Sequence, residues 1–271
     1  MKRKALPILS IIIFAFAVVA ALYPTLSAWI NDLAAKGEIT RYNDTVDSLD
    51  EEDKTRMLLQ AENYNSRIRN NVKDSFSPSS FVNSIEYLDT LNLTEIGQLG
   101  TVEIPCIKCS LPIYHGIDED MLSKGAVHLF GTSLPIGGES THSVISAHTA
   151  YPGKILFDRL TDMKIGDTFS VTVLGNTLYY KVIDINVVLP TEIESFEIKE
   201  GKDLVTLMTC TPYSVNTHRL LVTGERFYLE PDEQIIEKPQ SSVGISVYIT
   251  LVFFAAIPLS AMILKVRKRE K

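Results

Sequence analysis

The spacing of apolar residues changes along this chain, and each change predicts a different kind of element. Ala5 to Asn31 carries no charge, and Ile8 to Leu22 is almost continuously apolar. From Glu38 to Val72, apolar positions recur every three or four residues: Ile39, Tyr42, Val46 and Leu49, then Met57, Leu58, Ala61, Tyr64 and Ile68. That period predicts one or two helices, with a break near Asp50. Asp44, Asp47, Asp50, Glu51, Glu52 and Asp53 form an acidic, solvated face. Lys73 to Ser84 is rich in serine, proline and asparagine and reads as a loop.

From Ile96 the rhythm is that of strands. Short apolar runs occur at 99–104, 111–114, 142–147, 168–174, 177–189, 204–209 and 219–223, separated by turn formers. Gly175-Asn176 is a hairpin signal between two of them, and Leu156 to Leu160 reads as a short helical turn. Many short strands with frequent turns predict a mainly β domain, a barrel or a sandwich. No internal repeat is visible. A polar linker from Pro231 leads into a second uncharged stretch, Pro239 to Leu264.

Both uncharged stretches reach the roughly 20 residues a membrane-spanning helix needs. Lys2, Arg3 and Lys4 precede the first; Lys265, Arg267, Lys268, Arg269 and Lys271 follow the second. Basic flanks stay on the cytoplasmic side, so the pattern predicts a two-pass cell-membrane protein with its middle outside the cytoplasm. The first stretch also fits a cleaved signal peptide, with small residues at Leu26-Ser27-Ala28. The resulting division is a basic end and first span (1–31), a helical and loop region (32–84), a β domain (85–230), a linker (231–241), a second span (242–264) and a basic tail (265–271).

The formal net charge is −7; setting aside the three basic residues at the start and the net +4 of the tail leaves −14 between the spans. An acidic exterior excludes nucleic acid as a partner. About 200 residues remain there, enough for one cored domain.

The candidate chemistry lies in Thr206-Leu207-Met208-Thr209-Cys210, at the end of one apolar run, and in Arg219, nine residues on and entering the next. Cysteine reacts as a thiolate, and an ordinary thiol, with a pKa of about 8.5, is only a few per cent ionised at neutral pH. It therefore needs a base or a nearby cation. His148 ends the run Val144-Ile145-Ser146-Ala147 and is the candidate base. His142 begins the same run, on the same face but about 20 Å away if the run is extended, so only one of the two reaches Cys210. Arg219 returns beside the cysteine on the next strand, while His218 faces the opposite side. A guanidinium is always charged and donates in a fork, which suits binding a carbonyl or an oxyanion. The five histidines are too scattered for a metal site.

This arrangement resembles the sortases, cysteine transpeptidases of Gram-positive surfaces. The similarity runs from about Asp74 to Arg226. Leu111-Pro112-Ile113-Tyr114-His115-Gly116, the segment His128 to Gly138, Ser140-Thr141-His142, Cys210-Thr211-Pro212-Tyr213 and Asn216-Thr217-His218-Arg219 resemble segments of the class C, pilus-assembling sortases. The resemblance implies an eight-stranded β-barrel with short helices. It implies catalytic residues Cys210, His148 and Arg219, with no metal or organic cofactor. The implied partners are pilin or surface proteins with LPxTG-like sorting signals. A pilin lysine would be the acceptor amine, or a peptidoglycan amine in a cell-wall-anchoring relative. Hydrolysis, or non-catalytic pilin binding, are the rival readings.

Class C sortases often cover the site with a lid carrying Asp-Pro-aromatic. Here Asp74-Ser75-Phe76 stands in its place. Serine loses proline's fixed φ, which predicts a looser lid in which Asp74 still pairs with Arg219 and Phe76 still covers Cys210. The alternative is an ordinary loop with Phe76 packed on the barrel. Cys106-Ile107-Lys108-Cys109 is the other departure. Extended, these thiols lie about 10 Å apart, too far to bond; a turn at Ile107-Lys108 brings them together. A structural disulfide and plain core thiols both remain as readings.

Overall fold

The computed structural model describes residues 2–70, 84–94, 96–116, 119–192 and 196–228. Asp74, Phe76 and the second apolar stretch lie outside them. The described residues from Thr25 onward form one compact unit, separate from the start of α1.

The helical pattern resolves into two helices. Helix α1 runs Lys2–Ser48, joining the apolar stretch to the periodic segment from Glu38 without a break. Helix α2 runs Glu51–Asn70. The break falls at Leu49-Asp50 because Asp50 caps the new helix: its carboxylate accepts the Asp53 N–H at 2.7 Å. Glu51, Glu52 and Asp53 in the first turn, and Arg67 and Arg69 in the last, match the helix dipole. Ile12–Ser48 of α1 is long and apolar enough to cross a membrane, by length and composition. Ile12, Ile13, Phe16 and Val19 are exposed.

The inward positions of both helices reach the barrel. Tyr42 and Val46 of α1, and Ala61 and Tyr64 of α2, are buried in the core cluster. The Tyr42 hydroxyl donates to the Leu99 carbonyl (2.8 Å) and accepts the Leu174 N–H (3.1 Å). Asn65 accepts the Leu134 N–H at 2.7 Å and donates back to its carbonyl at 3.1 Å. One side chain thus satisfies two backbone groups that burial would otherwise leave orphaned.

A short helix α3, Ser84–Asp89, buries Tyr87 among Tyr64, His115, His128 and Phe130. His128 donates from Nε2 to the Ser133 carbonyl (2.8 Å), which leaves Nδ1 to accept from the Tyr87 hydroxyl (2.9 Å). Complete burial pushes the His128 pKa down to about 3. His115 is bonded to the Gly97 and Thr90 carbonyls and is also lowered by burial. Both histidines are structural.

The strands are β1 (Gln98–Ile104), β2 (Cys109–His115), β3 (Ala126–His128), β4 (Thr141–Ser146), β5 (Thr168–Val173), β6 (Asn176–Val188), β7 (Asp203–Thr211) and β8 (His218–Phe227). They close into a barrel in the order β1-β2-β3-β4-β7-β8-β6-β5. This decides the barrel-or-sandwich alternative. Pairs β2/β3 and β4/β7 are parallel and the rest antiparallel. Strand β3 has only three residues, too short for an alternation to show in the sequence.

The β5–β6 turn is Leu174-Gly175, one residue earlier than the Gly175-Asn176 signal. Val173 pairs with Asn176, and both turn residues have positive φ (49° and 80°), as a type I′ hairpin requires. The Tyr42 bond to Leu174 N–H helps hold leucine in that unusual conformation. The short helical turn lies at Leu160–Asp162, just past the expected segment. Inside the barrel Phe169 and Tyr180 stack at 5.5 Å over Gly224. A Cβ at Gly224 would sit 2.6 Å from the Phe169 ring, so only glycine permits the stack.

The topology positions three chain segments together. Strands β4 and β7 run parallel as neighbours, so their carboxyl ends emerge at the same rim. Strand β8 returns from that rim beside β7.

Candidate active site at the barrel rim

Cys210 is the penultimate residue of β7, and Arg219 is the second residue of β8; they are directly opposed in the ladder. Directly opposed residues on antiparallel strands have Cβ atoms about 5 Å apart on one face. The thiol therefore has a permanent cation for a neighbour. Arg219 also lies along the β7–β8 loop, its Nη1 donating to the carbonyls of Asn216 (3.3 Å) and His218 (3.2 Å). These bonds hold one side of the fork and orient the other.

His148 sits two residues past β4. The ladder continues beyond the strand, since Ala147 N–H donates to the Met208 carbonyl at 3.1 Å. Thr209 then ties down both neighbours of His148. Its hydroxyl donates to the Ala147 carbonyl (2.7 Å) and meets the Thr149 hydroxyl at 2.5 Å. Because Thr209 immediately precedes Cys210, the histidine segment and the cysteine are fastened to the same two residues of β7. The following loop is braced from inside. Asp158 accepts the Ala150 and Leu156 N–H groups, both at 2.9 Å, and Phe157 N–H donates to the His148 carbonyl at 3.1 Å.

The imidazole is held on its face and at its edge. Tyr151 stacks on it, with centroids 5.2 Å apart and planes at 28°. The Glu119 carboxylate, on the short helix α4 (Glu119–Leu122), lies 3.4 Å from Nε2 without hydrogen-bond geometry. Nε2 is buried and makes no hydrogen bond. A buried ring nitrogen with a carboxylate nearby but no hydrogen bond is one of the exceptions that points to function.

The other sequence candidates separate cleanly. His142 is at the opposite end of β4, paired with Leu204, and its ring bonds the Glu197 carbonyl (2.9 Å) and Thr206 hydroxyl (2.8 Å). Its role is structural. His218 pairs with Thr211 and bonds the Thr217 hydroxyl at 2.9 Å. Cys106 lies within the β1–β2 turn at Pro105–Ile107 and Cys109 opens β2, with Lys108 between them in the left-handed region (φ 54°). They are free thiols, as is Cys210. Burial, and then the nearby Asp167, push the Cys106 pKa up to about 11. Burial, and then Asp158, push Cys109 up to about 12. Both are neutral core thiols at any physiological pH. Among the described residues no cluster of three or more His, Cys, Asp or Glu is arranged to hold a metal.

Thr149, Thr209, Tyr151 and Glu119 were not picked out as site residues from the sequence. Thr149 and Thr209 flank picked residues, so the signal was adjacency; Glu119 carries no local signal.

A cysteine opposed to an arginine, with the histidine segment fastened to the same strand, thus stands on the rim of a closed eight-stranded barrel. The comparisons give the family. Residues 102–227 match the sortase domain. Sortase C1 from Streptococcus agalactiae is 39% identical, with a TM-score of 0.67 over 71% of this chain and 99% of that one. Sortase C from Clostridium perfringens, solved with the C-terminal cell wall sorting motif, is 42% identical, with a TM-score of 0.63 over 72% and 100%. Sortase A of Streptococcus agalactiae is 29% identical over 130 residues, 47% of this chain and 52% of that protein. Sortase D of Bacillus subtilis is 29% identical over 136 residues, 49% and 66%. The chain thus spans about half to two thirds of the length of these curated relatives. The chain belongs to the sortase family of cysteine transpeptidases, and its structural neighbours are class C sortases.

Proposed function

We propose that this chain is a membrane-anchored transpeptidase that cleaves an LPxTG-like sorting signal and joins it to a lysine amine of a pilin subunit. The observation that carries the reading is the opposition of Cys210 and Arg219 in the β7–β8 ladder, with the His148 segment bonded to Thr209.

The chemistry follows from those positions. His148 takes the thiol proton, and the Cys210 sulfur attacks the threonine carbonyl of the Thr–Gly bond. The free side of the Arg219 fork donates to the oxygen that becomes an oxyanion. The tetrahedral intermediate collapses, the C–N bond breaks, and His148 returns its proton to the departing glycine amine. A thioester remains on Cys210. A lysine amine then attacks it, loses a proton to His148, and leaves as an isopeptide while the thiol is regenerated. Glu119 supplies a counter-charge to the imidazolium formed in each half.

The candidate anchor is α1. The second span, and with it the two-pass arrangement, rests on the apolar and basic pattern of the sequence from Pro239 onward. The pilin acceptor is favoured by the class C neighbours, one of them sortase C1 of Pilus Island 1. A cell-wall acceptor is the second reading, because two similar proteins are called Sortase A.

The test is product analysis with the full chain in neutral detergent. An LPxTG peptide is supplied with a pilin-derived lysine peptide and a peptidoglycan-type amine in competition. Isopeptide product from the lysine peptide supports the proposal. Product from the peptidoglycan amine alone supports the second reading. Cleavage without either amide product defeats both in favour of hydrolysis.

A further inference from the structure

A second cavity lies between α1 and the barrel, away from Cys210. It has a volume of about 200 Å³ and is bounded on the helix side by Asp32 and Glu38, and on the barrel side by Lys108, Lys124, Lys154 and Tyr114. The charges on its two sides are not equivalent. Asp32 is paired along the helix with Lys36 (2.8 Å), and Glu38 with Arg41 (3.1 Å), although both carboxylates still act on cavity residues, Asp32 on Cys109 and Glu38 on Tyr114. The three lysines form no ion pair with any described residue. Lys154 donates to the Ser123 carbonyl, a neutral acceptor. Burial, and then the charge of Lys124, hold the Lys154 ammonium below its ordinary range. Two cations held that close without an acid between them repel each other.

The cavity wall also contains an unmet polar group. Tyr114 is fully buried, and its hydroxyl makes no hydrogen bond. Leaving such a group unsatisfied is destabilising. Three lysines that form no ion pair with a described residue, and one tyrosine with an orphan hydroxyl, line the same small space. A tetrahedral oxyanion satisfies them all, because it accepts from several directions at once and neutralises the clustered charge.

We propose that this cavity is a binding site for a phosphate-class anion, held by Lys108, Lys124 and Lys154 and by the Tyr114 hydroxyl. The same chemistry is offered by a phospholipid headgroup and by free phosphate. The cavity also touches the machinery of the first site. Lys154 Nζ lies 5.9 Å from the centroid of Tyr151, whose ring also stacks on the His148 imidazole. Drawing the ammonium onto an anion alters the packing on that ring.

The experiment is calorimetric titration of the full chain in neutral detergent with inorganic phosphate, against sodium chloride at matched ionic strength. A second arm uses short-chain phosphatidylglycerol, with short-chain phosphatidylcholine as its control. Saturable binding of phosphate is expected, weakened about tenfold by each of Lys108→Gln and Lys124→Gln. Neither lysine's ammonium bonds a described residue, and the backbone bonds of Lys108 and Lys124 survive the substitution, so both variants are expected to fold. Tyr114→Phe is expected to weaken binding while raising the melting temperature of the free chain, since it removes an unsatisfied buried hydroxyl. Phosphatidylglycerol binding tighter than phosphate, with phosphatidylcholine not binding, assigns the site to a lipid headgroup; equal affinity assigns it to free phosphate. Absence of saturable binding in both arms overturns the proposal. So does binding unchanged in the double lysine variant. None of these readouts depends on transpeptidation, so failure here leaves the reading of Cys210 intact.

Discussion

The chain places cysteine in two settings that teach opposite lessons. At the β1–β2 turn, Cys106 and Cys109 have the spacing of a reactive pair, yet burial, and then Asp167 at Cys106 and Asp158 at Cys109, keep them protonated. At the β7–β8 rim, Cys210 is alone, is opposed to Arg219 in the ladder, and follows the threonine that fastens the His148 segment. Spacing along the chain suggests chemistry only where the fold supplies a base, a cation and access. A thiol among acids and apolar side chains is a small core residue whatever its motif.

That contrast is easiest to break at Cys210 itself. Cys210→Ala is expected to abolish thioacyl adduct and product, a loss of at least about 10⁴ in kcat. Cys106→Ser and Cys109→Ser should leave kcat within about threefold. A peptide-cleavage assay on the three purified variants compares them directly. Next is Arg219→Lys, which keeps the charge and loses the fork. A fall of about 10²–10³ in kcat is expected, and an unchanged rate would show that charge alone suffices.

Alkylation sharpens the same comparison without turnover. At pH 8 a thiol with a pKa of about 11 is roughly 0.1% ionised, so Cys106 should stay unlabelled, and Cys109 more so. Iodoacetamide followed by peptide mapping should find Cys210 labelled first, with Cys106 appearing only as the pH is raised toward 11. Comparable labelling of all three at pH 8 would erase the distinction. A smaller effect is expected from Thr209→Val, which keeps the shape and frees the His148 segment. A loss of about tenfold in kcat, with little change in KM, separates positioning from substrate binding.

The smallest effect concerns stability rather than reaction. The folded pKa of His128 is depressed to about 3, against about 6.5 in the unfolded chain. Between those values the unfolded chain binds the proton and the folded chain does not. The stability due to this site is therefore complete above about pH 6.5 and is lost progressively as the pH falls toward 3. Chemical denaturation from pH 7 to pH 4 should show the decline, and His128→Gln should flatten it, on a lower baseline.

Much of this was legible in the sequence, for identifiable reasons. Strands such as β5 and β7 alternate or run apolar long enough to set a period, so their existence was readable. Strand β3 was not, because three residues between loops set no period. The helix break near Asp50 was readable from the apolar period, and the structure supplies its cap, whereas the continuity of α1 across Asn31 was not readable. Cys210, His148 and Arg219 each end or begin an apolar run, and strand ends meet at rims, so their juxtaposition followed once the parallel β4/β7 pairing existed. Tyr151 and Glu119 contact His148 through a loop and a short helix whose course depends on tertiary bonds such as those of Asp158. No local pattern announces such contacts. The cavity lysines were invisible for the same reason, since they come from three separate connections.

The measurement that bears most directly on the account is the site of acylation. The full chain in neutral detergent is incubated with an LPxTG peptide, without acceptor, and quenched in acid. Intact-mass and peptide-level mass spectrometry then locate any adduct. The account predicts one acyl group on Cys210, of a mass that ends at the peptide's threonine, with release of the glycine-led fragment and neither event in Cys210→Ala. An adduct on Cys106 or Cys109, or fragment release by the Cys210→Ala variant, would contradict it.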